Sequence, residues 1–203
     1  MSAAKLIIAD SEKNANLYYA TRFLAPDPFI FAQINGSRLL VMSDLELDRA
    51  KAQAKVSEVL SYSKVSAQAK QRLGKEPAMM DVVDEILKGR AVKEIEVPMD
   101  FGIAYADGLR KRGYTLTPVP EPFYPERMIK SAEEIARLTE TLRTTEEALE
   151  RAIELIRNSE AKADGTLWIG GKPLTAELLR KTMHLVMMEQ ECVAQHTIIA
   201  CGV

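Results

Sequence analysis

The chain has 203 residues, 47% hydrophobic and 28% charged, a composition typical of one large globular domain or of one and a half ordinary ones. Its 27 basic and 29 acidic residues give a net charge of −2 without a strongly basic patch, so nucleic acid is excluded as an expected partner. The apolar run from Ala3 to Ala9 is interrupted by Lys5 and closed by Asp10, which makes it too short for a signal peptide or a membrane span. We therefore expect a cytoplasmic protein with no membrane partner.

The N-terminal segment predicts short strands and a tight turn. A buried strand is expected over Leu6 to Ala9, and a loop or short helix over Asn14 to Phe23. Strands over Phe29 to Ile34 and Arg38 to Met42 flank Asn35-Gly36, a dipeptide that tolerates the positive φ angles of a hairpin turn.

The next segment predicts alternating helices and strands. Ser43 or Asp44 can cap a helix over Leu45 to Ala54. The elements expected after it are a strand over Val56 to Tyr62, helices over Val65 to Leu73 and Met79 to Lys88, a strand over Glu94 to Val97 ended by Pro98, a helix over Gly102 to Arg112 with Gly113 as a left-handed cap, and a strand over Tyr114 to Val119. This alternation indicates an α/β layer with a mixed sheet.

Four prolines between Pro118 and Pro125 predict a domain junction, because proline continues neither a helix nor a central strand. We place one domain at residues 1–122 and a second at 123–203. Ser131 and Glu134 then have the spacing of a capping box, which begins a helix that runs to about Arg157. One face of this helix is expected to be buried, because apolar residues recur at helical spacing: Ile135, Leu138, Leu142, Leu149, Ile153 and Ile156.

The last segment predicts a loop, a helix and a strand. The loop covers Asp164 to Lys172, and its Gly170-Gly171-Lys172 lacks the spacing of a phosphate-binding loop, so we interpret it as a turn. A helix follows over Leu174 to Glu191, started by Pro173 or capped within the loop. His196 to Cys201 predicts an apolar strand.

The residues alone predict no self-evident active site. Glutamates on the long helix could serve a two-metal centre, but interleaved arginines favour a solvated, charge-balanced face. His184 and His196 have no ligand spacing, and Cys192 and Cys201 form no CxxC pair, so reduced thiols are expected rather than a metal site.

Several segments resemble the pita-bread metallopeptidases, the family of Xaa-Pro dipeptidases (prolidases), aminopeptidases P and creatinase. Residues 5–120 look like the non-catalytic creatinase/prolidase N-terminal domain. The segments that carry the resemblance are Ile8 to Glu12, Leu17 to Thr21, Leu39 to Glu46, Arg127 to Ile135, Pro173 to Glu177 and Thr197 to Gly202. The resemblance implies a mixed-sheet α/β N-terminal domain over residues 1–122, followed by an incomplete α+β pita-bread domain over residues 123–203.

The resemblance also implies a function, the hydrolysis of Xaa-Pro peptide bonds by two divalent metal ions, often manganese. In that family the five metal ligands follow the strand on which this chain ends, so no residue here inherits a catalytic or metal-ligand role. His196 could at most line the substrate pocket. We therefore expect a fragment that is inactive alone and binds no metal, whose complete enzyme acts on proline-containing peptides and forms homo-oligomers through its N-terminal domain.

Two alternatives stay open at this point. The chain could be a non-catalytic oligomerisation or regulatory module, since the N-terminal domain of the family builds oligomer contacts. It could also be part of a creatinase-like amidinohydrolase, because fold likeness does not fix the substrate. We further expect residues 1–122 to fold independently. Residues 123–203 are expected to be partly disordered or to borrow a partner, because an unpaired apolar strand is an edge that is prone to aggregation.

Overall fold

The computed structural model of this protein describes residues 3–200. The chain forms two compact units, unit 1 (Met1–Met128) and unit 2 (Ile129–Val203). The domain boundary that the sequence predicts between residues 122 and 123 stays a prediction.

Unit 1 is built on a six-stranded mixed sheet with the order β4-β3-β2-β1-β5-β6. The β1–β2 and β2–β3 pairs are antiparallel, and the other neighbouring pairs are parallel. The strands are β1 (Ala4–Ala9), β2 (Phe29–Ile34), β3 (Ser37–Met42), β4 (Glu58–Ser61), β5 (Glu94–Pro98) and β6 (Thr115–Val119). The helices are α1 (Ala15–Thr21), α2 (Leu47–Gln53), α3 (Tyr62–Leu73), α4 (Met79–Lys88) and α5 (Ile103–Arg110), followed by a 3-10 helix, Pro125–Met128. The mixed α/β fold predicted from the sequence is confirmed.

The central strands bury side chains on both faces of this sheet. Leu6 and Ile8 of β1 belong to one hydrophobic cluster, whereas Ile7 between them belongs to the other. Helices α3, α4 and α5 supply the first cluster, and helices α1 and α2 supply the second. Unit 1 is therefore a three-layer sandwich with a complete core on each side of the sheet.

The predicted hairpin between β2 and β3 is confirmed. Asn35 has a φ of 50° and Gly36 a φ of 82°, so both turn residues adopt the left-handed backbone that the dipeptide was expected to supply. Gly113 likewise has a positive φ of 86° after α5.

The predicted cap of α2 is wrong. The helix begins at Leu47, after Glu46, and has no side-chain cap. The Asp44 carboxylate instead accepts hydrogen bonds from the hydroxyls of Ser61 (2.7 Å) and Ser63 (3.0 Å), which lower its pKa. Because Ser61 caps α3 by accepting from the backbone N–H of Lys64, β4 ends at that residue and is shorter than the predicted strand over Val56 to Tyr62.

Unit 2 consists of two helices and a small antiparallel sheet. The helices are α6 (Ala132–Arg157) and α7 (Ala176–Glu189), and the strands are β7 (Glu160–Ala161), β8 (Leu167–Ile169) and β9 (Lys172–Pro173). The predicted capping box of Ser131 and Glu134 is confirmed, whereas α7 begins later than predicted because Thr175 caps it. The predicted loop over Asp164 to Lys172 instead contains β8 and the start of β9, joined by a turn at Gly170-Gly171 where both φ angles are positive.

The prediction that the apolar face of α6 is buried is wrong. Five of its apolar residues are between 45% and 57% exposed: Ile135, Leu138, Leu142, Leu149 and Ile156. The helix packs against α7, and its buried residues are Thr144, Ala148 and Ala152. Small residues allow the close helix contact, so the larger apolar side chains lie on a neighbouring face.

Candidate functional site

The strand predicted over His196 to Cys201 does not form over residues 196–200, and Cys201 lies outside the described residues. The prediction fails because a strand needs a hydrogen-bonded neighbour, and no described residue pairs with this segment in a ladder. His196 is exposed and has a positive φ of 54° at a bend in the chain. Its assignment to a substrate pocket stays a prediction.

Helix α7 and the terminal segment are joined by two polar contacts. The Nε2 atom of His184 lies 3.0 Å from the Thr197 hydroxyl, and an Arg180 guanidinium nitrogen donates to the Ile199 carbonyl at 3.4 Å. The Arg180 Nε atom is buried and has no hydrogen-bond partner among the described residues. Together these contacts hold the terminal segment against α7 without regular secondary structure.

An open groove of about 330 Å³ runs along one side of α7. Its lining combines apolar and charged side chains, namely Glu177, Arg180, Lys181, His184, Leu185 and Met188. Hydrogen bonds from the backbone N–H of Glu177 and from the Thr175 hydroxyl lower the pKa of the Glu177 carboxyl, so it stays ionised. The groove therefore has one carboxylate and one imidazole, without a second acid beside them to form a catalytic pair.

The carboxylates of α6 lie on a solvated face, as predicted. Arg137 pairs with Glu133 at 2.9 Å, and Arg143 pairs with Glu146 at 2.8 Å. All four side chains are at least half exposed. Exposed pairs of this kind contribute little stability, and they occupy the carboxylate oxygens that a metal ion would need.

Within residues 3–200, no group of three or more His, Cys, Asp or Glu side chains is arranged to hold a metal ion. The donor set of the described residues therefore does not fit a two-metal centre, which needs several carboxylates and a histidine converging on one point. No helix in this part of the chain is long and apolar enough to cross a membrane.

In unit 1 the Asp84 carboxylate of α4 is buried, with a side chain that is 4% exposed. It accepts hydrogen bonds from the Tyr114 hydroxyl (2.8 Å), Lys88 (2.8 Å) and Arg72 (3.0 Å). Burial alone raises the pKa of Asp84, but the hydrogen bonds from Lys88 and Tyr114 and the charges of Lys88 and Arg72 outweigh it, so the pKa lies below its ordinary value. Burial and the hydrogen bond to Asp84 raise the pKa of Tyr114, which stays neutral. The network joins α3 and α4 to Tyr114, the residue before β6.

The sequence interpretation also missed a cationic contact at the proline-rich segment. The Lys5 Nζ atom lies 5.0 Å from the centre of the Phe123 ring and 4.6 Å from that of Tyr124, and it donates to the Phe123 carbonyl at 3.2 Å. Nearby, Asn16 donates to Glu121 at 2.6 Å and accepts from Arg127 at 2.5 Å. Residues 121–127 are therefore fixed to β1 and α1, a contact between distant parts of the chain that no local pattern predicts.

No protein-family model matches the chain, and no curated protein matches it in sequence. Solved structures, however, share its fold. An Xaa-Pro dipeptidase from Bacillus anthracis matches 92% of this chain with a TM-score of 0.67 and 14% identity, over 44% of its own length. An X-Pro aminopeptidase from Thermotoga maritima matches 91% with a TM-score of 0.64 and 18% identity, over 47% of its length. The chain has the fold of the N-terminal portion of Xaa-Pro peptidases.

A third match has the same extent. A prolidase from Pyrococcus furiosus matches 90% of this chain with a TM-score of 0.57 and 16% identity, over 45% of its own length. The chain thus spans about half the length of these three Xaa-Pro peptidase structures. The mixed-sheet α/β fold that the resemblance implied is confirmed, and the assignment of residues 123–203 to a second domain stays a prediction.

Proposed function

We propose that this chain forms the non-catalytic N-terminal portion of an Xaa-Pro metallopeptidase, an enzyme that hydrolyses the peptide bond before proline. The observation that carries the proposal is the fold match over 92% of the chain to 44% of an Xaa-Pro dipeptidase. Proteins named for the same reaction class recur among the matches, as dipeptidase, aminopeptidase and prolidase.

The chemistry of such an enzyme requires groups that the described residues do not bring together. The resemblance implies two divalent metal ions, with manganese our proposal for their identity, that activate a water and polarise the scissile carbonyl. Since no suitable donor group exists within residues 3–200, we propose that polypeptide outside this range supplies the metal centre. The described residues would then have a structural, non-catalytic role. His196 would line the substrate pocket of the assembled enzyme.

A second candidate function is an oligomerisation or regulatory module. The feature that favours it is the two-sided core of unit 1, whose two hydrophobic clusters are built from residues of that unit alone. Homo-oligomer formation through unit 1 and a creatinase-like substrate both stay predictions. Of these options the peptidase portion accounts for unit 2 as well, which a stand-alone unit 1 module does not.

An assay with and without a catalytic portion tests the proposal. The chain alone should hydrolyse Ala-Pro no faster than buffer at saturating Mn²⁺, and calorimetry should detect no stoichiometric Mn²⁺ binding. Fusing residues 1–203 to the second portion of a matched peptidase should yield Mn²⁺-dependent hydrolysis, with the same fusion lacking residues 1–128 as the control. Hydrolysis by the chain alone, or a fusion that binds Mn²⁺ but cleaves no Xaa-Pro substrate, would count against the proposal.

A further inference from the structure

The sheet of unit 1 ends in two edge strands, β6 and β4, whose backbones differ in what they offer a neighbour. At β6 the backbone N–H of Thr115 donates to the Lys93 carbonyl, so the backbone of Thr115 faces β5. Alternate residues of a strand direct their backbone groups to the same side, so the backbone of Pro118 lies on the outer side. Proline has no N–H to donate, and it therefore disfavours a further strand at this edge.

The opposite edge strand, β4, keeps both kinds of backbone group on its outer side. The backbone of Arg38 in β3 accepts from the Ser57 N–H at 2.8 Å and donates to the Ser57 hydroxyl at 3.3 Å, so it faces β4. Leu40, two residues further on, faces the same way and pairs with Val59. In each parallel pair only one residue directs its backbone at the other, so the N–H and C=O of Val59 point outward. Within residues 3–200, no strand lies beside this edge.

A groove of about 510 Å³ lies along the outer side of β4, and we name it the β4 groove. Val59 and Leu60 of β4 are half-buried in its lining. Leu47 of α2 lines it from one face of the sheet, and Val65 of α3 and Ile86 of α4 line it from the other. An open strand edge flanked by apolar side chains is the kind of site that takes an extended peptide as an added strand.

The charges that line the β4 groove favour an acidic occupant. The lining carries three cationic side chains and two carboxylates. Both carboxylates are already held by arginines, Glu58 by Arg90 at 2.7 Å and Glu85 by Arg72 at 2.6 Å. The positive charge that remains in the lining comes from two lysines.

These lysines are Lys51 of α2 and Lys64 of α3, on helices that cover opposite faces of the sheet. Lys51 lies 3.6 Å from the carboxylate of Asp48, whose side chain is 98% exposed, so the pair is a weak one. The Asp44 carboxylate feels the charge of Lys64 but accepts its hydrogen bonds from two serine hydroxyls. Both ammonium groups can therefore pair with carboxylates of a bound peptide.

We propose that the β4 groove binds a short, acidic, extended peptide of another protein, which pairs with β4 as a further strand of the sheet. Backbone hydrogen bonds to Val59 hold the peptide, and acidic side chains on its two faces meet Lys51 and Lys64. A second copy of this chain would bring its own two lysines towards these, and like charges across a strand pair are destabilising. The inference goes beyond the proposed function and does not depend on it.

Fluorescence anisotropy with two labelled peptides tests the inference on the full chain. EVVEVVE carries glutamates on both faces of a strand, and KVVKVVK is its cationic counterpart. EVVEVVE should bind saturably and more weakly as the salt concentration rises, and KVVKVVK should not bind. The variant K51E/K64E should bind EVVEVVE about tenfold more weakly, because two attractive pairs become repulsive.

The matched control is K13E/K111E, which makes the same change in net charge at two exposed lysines outside the β4 groove. This variant should bind EVVEVVE as the wild type does. An absence of EVVEVVE binding, equal binding of the two peptides, or an equal loss of affinity in the two double variants would overturn the inference.

A proline at position 59 distinguishes strand pairing from charge attraction alone. V59P removes the outward N–H and leaves the hydrogen bonds between β3 and β4 in place, as Pro118 does at β6, so it should abolish EVVEVVE binding. Amide exchange of the wild type gives the same test if V59P does not fold, because the Val59 amide should exchange more slowly once EVVEVVE is bound. Undiminished binding by folded V59P, or unchanged exchange at Val59, would refute strand pairing.

Discussion

Replacing Asp84 by alanine should lower the free energy of unfolding of unit 1 by about 2–3 kcal/mol at pH 7, because charge-assisted hydrogen bonds from three side chains are lost. The Tyr114 hydroxyl would be left buried without its carboxylate partner, whereas Arg72 and Lys88 can regain water. Urea unfolding followed by the near-UV circular dichroism of tyrosine measures the change, because all six tyrosines lie in unit 1.

The Asp84 contribution should also depend on pH. Its pKa is lowered in the folded protein, so the stabilisation is present above the unfolded value of about 3.9 and is lost as the pH falls through the folded pKa. The difference in unfolding free energy between the wild type and D84N should therefore shrink below about pH 4. The control is D107A, which removes the exposed Asp107–Arg110 pair and should leave the unfolding midpoint nearly unchanged. A difference that stays constant from pH 7 to pH 3 would show that the Asp84 charge does not stabilise unit 1.

Replacing Phe123 by alanine should destabilise unit 1 by about 3–5 kcal/mol, the usual cost of deleting a buried aromatic ring. Phe123 is fully buried in the cluster that includes Leu17 and Phe31, and its ring meets that of Tyr124 edge-on with centroids 5.1 Å apart. The variant also removes the ring that faces the Lys5 ammonium group. The same tyrosine signal reports the loss.

The conservative variant F123L serves as the control. Leucine keeps most of the apolar volume, so its cost should stay near or below about 1.5 kcal/mol. If F123A unfolds at the same urea concentration as the wild type, the proline-rich segment does not stabilise unit 1, and its contacts with β1 and α1 are incidental.

The sequence predicted the elements of unit 1 well where the signals were local. Turn chemistry at Asn35-Gly36 and the short apolar runs of β1 to β3 are set by neighbouring residues, and these elements formed as predicted. Asp44 shows where such reasoning stops, because its choice between capping α2 and binding Ser61 depends on how β4 packs beside β3. The Lys5–Phe123 contact joins residues 118 positions apart and has no local signature.

Unit 2 shows a different kind of failure. The helical spacing of Leu138, Leu142 and Leu149 was identified correctly, but the inference that this face is buried assumed a partner surface. The predicted strand at His196 failed for a related reason, since no strand among residues 3–200 pairs with residues 196–200. Periodicity states which face is apolar, and only the rest of the fold determines whether that face is covered. The sequence could not predict a metal site either, because residues 3–200 contain no group of metal-ligating side chains that a motif would reveal.

The described residues of unit 1 build two hydrophobic clusters, whereas five large apolar side chains of α6 in unit 2 are about half exposed. We therefore expect unit 1 to fold on its own and unit 2 to be less stable. Amide hydrogen exchange of the monomeric chain at neutral pH distinguishes the two units, because it reports stability segment by segment. We expect β1, β2 and β3 to exchange only by global unfolding of unit 1, and α6 and α7 to exchange far faster, through local opening. Protection of α6 and α7 equal to that of the β1–β3 strands in the monomer would contradict this expectation.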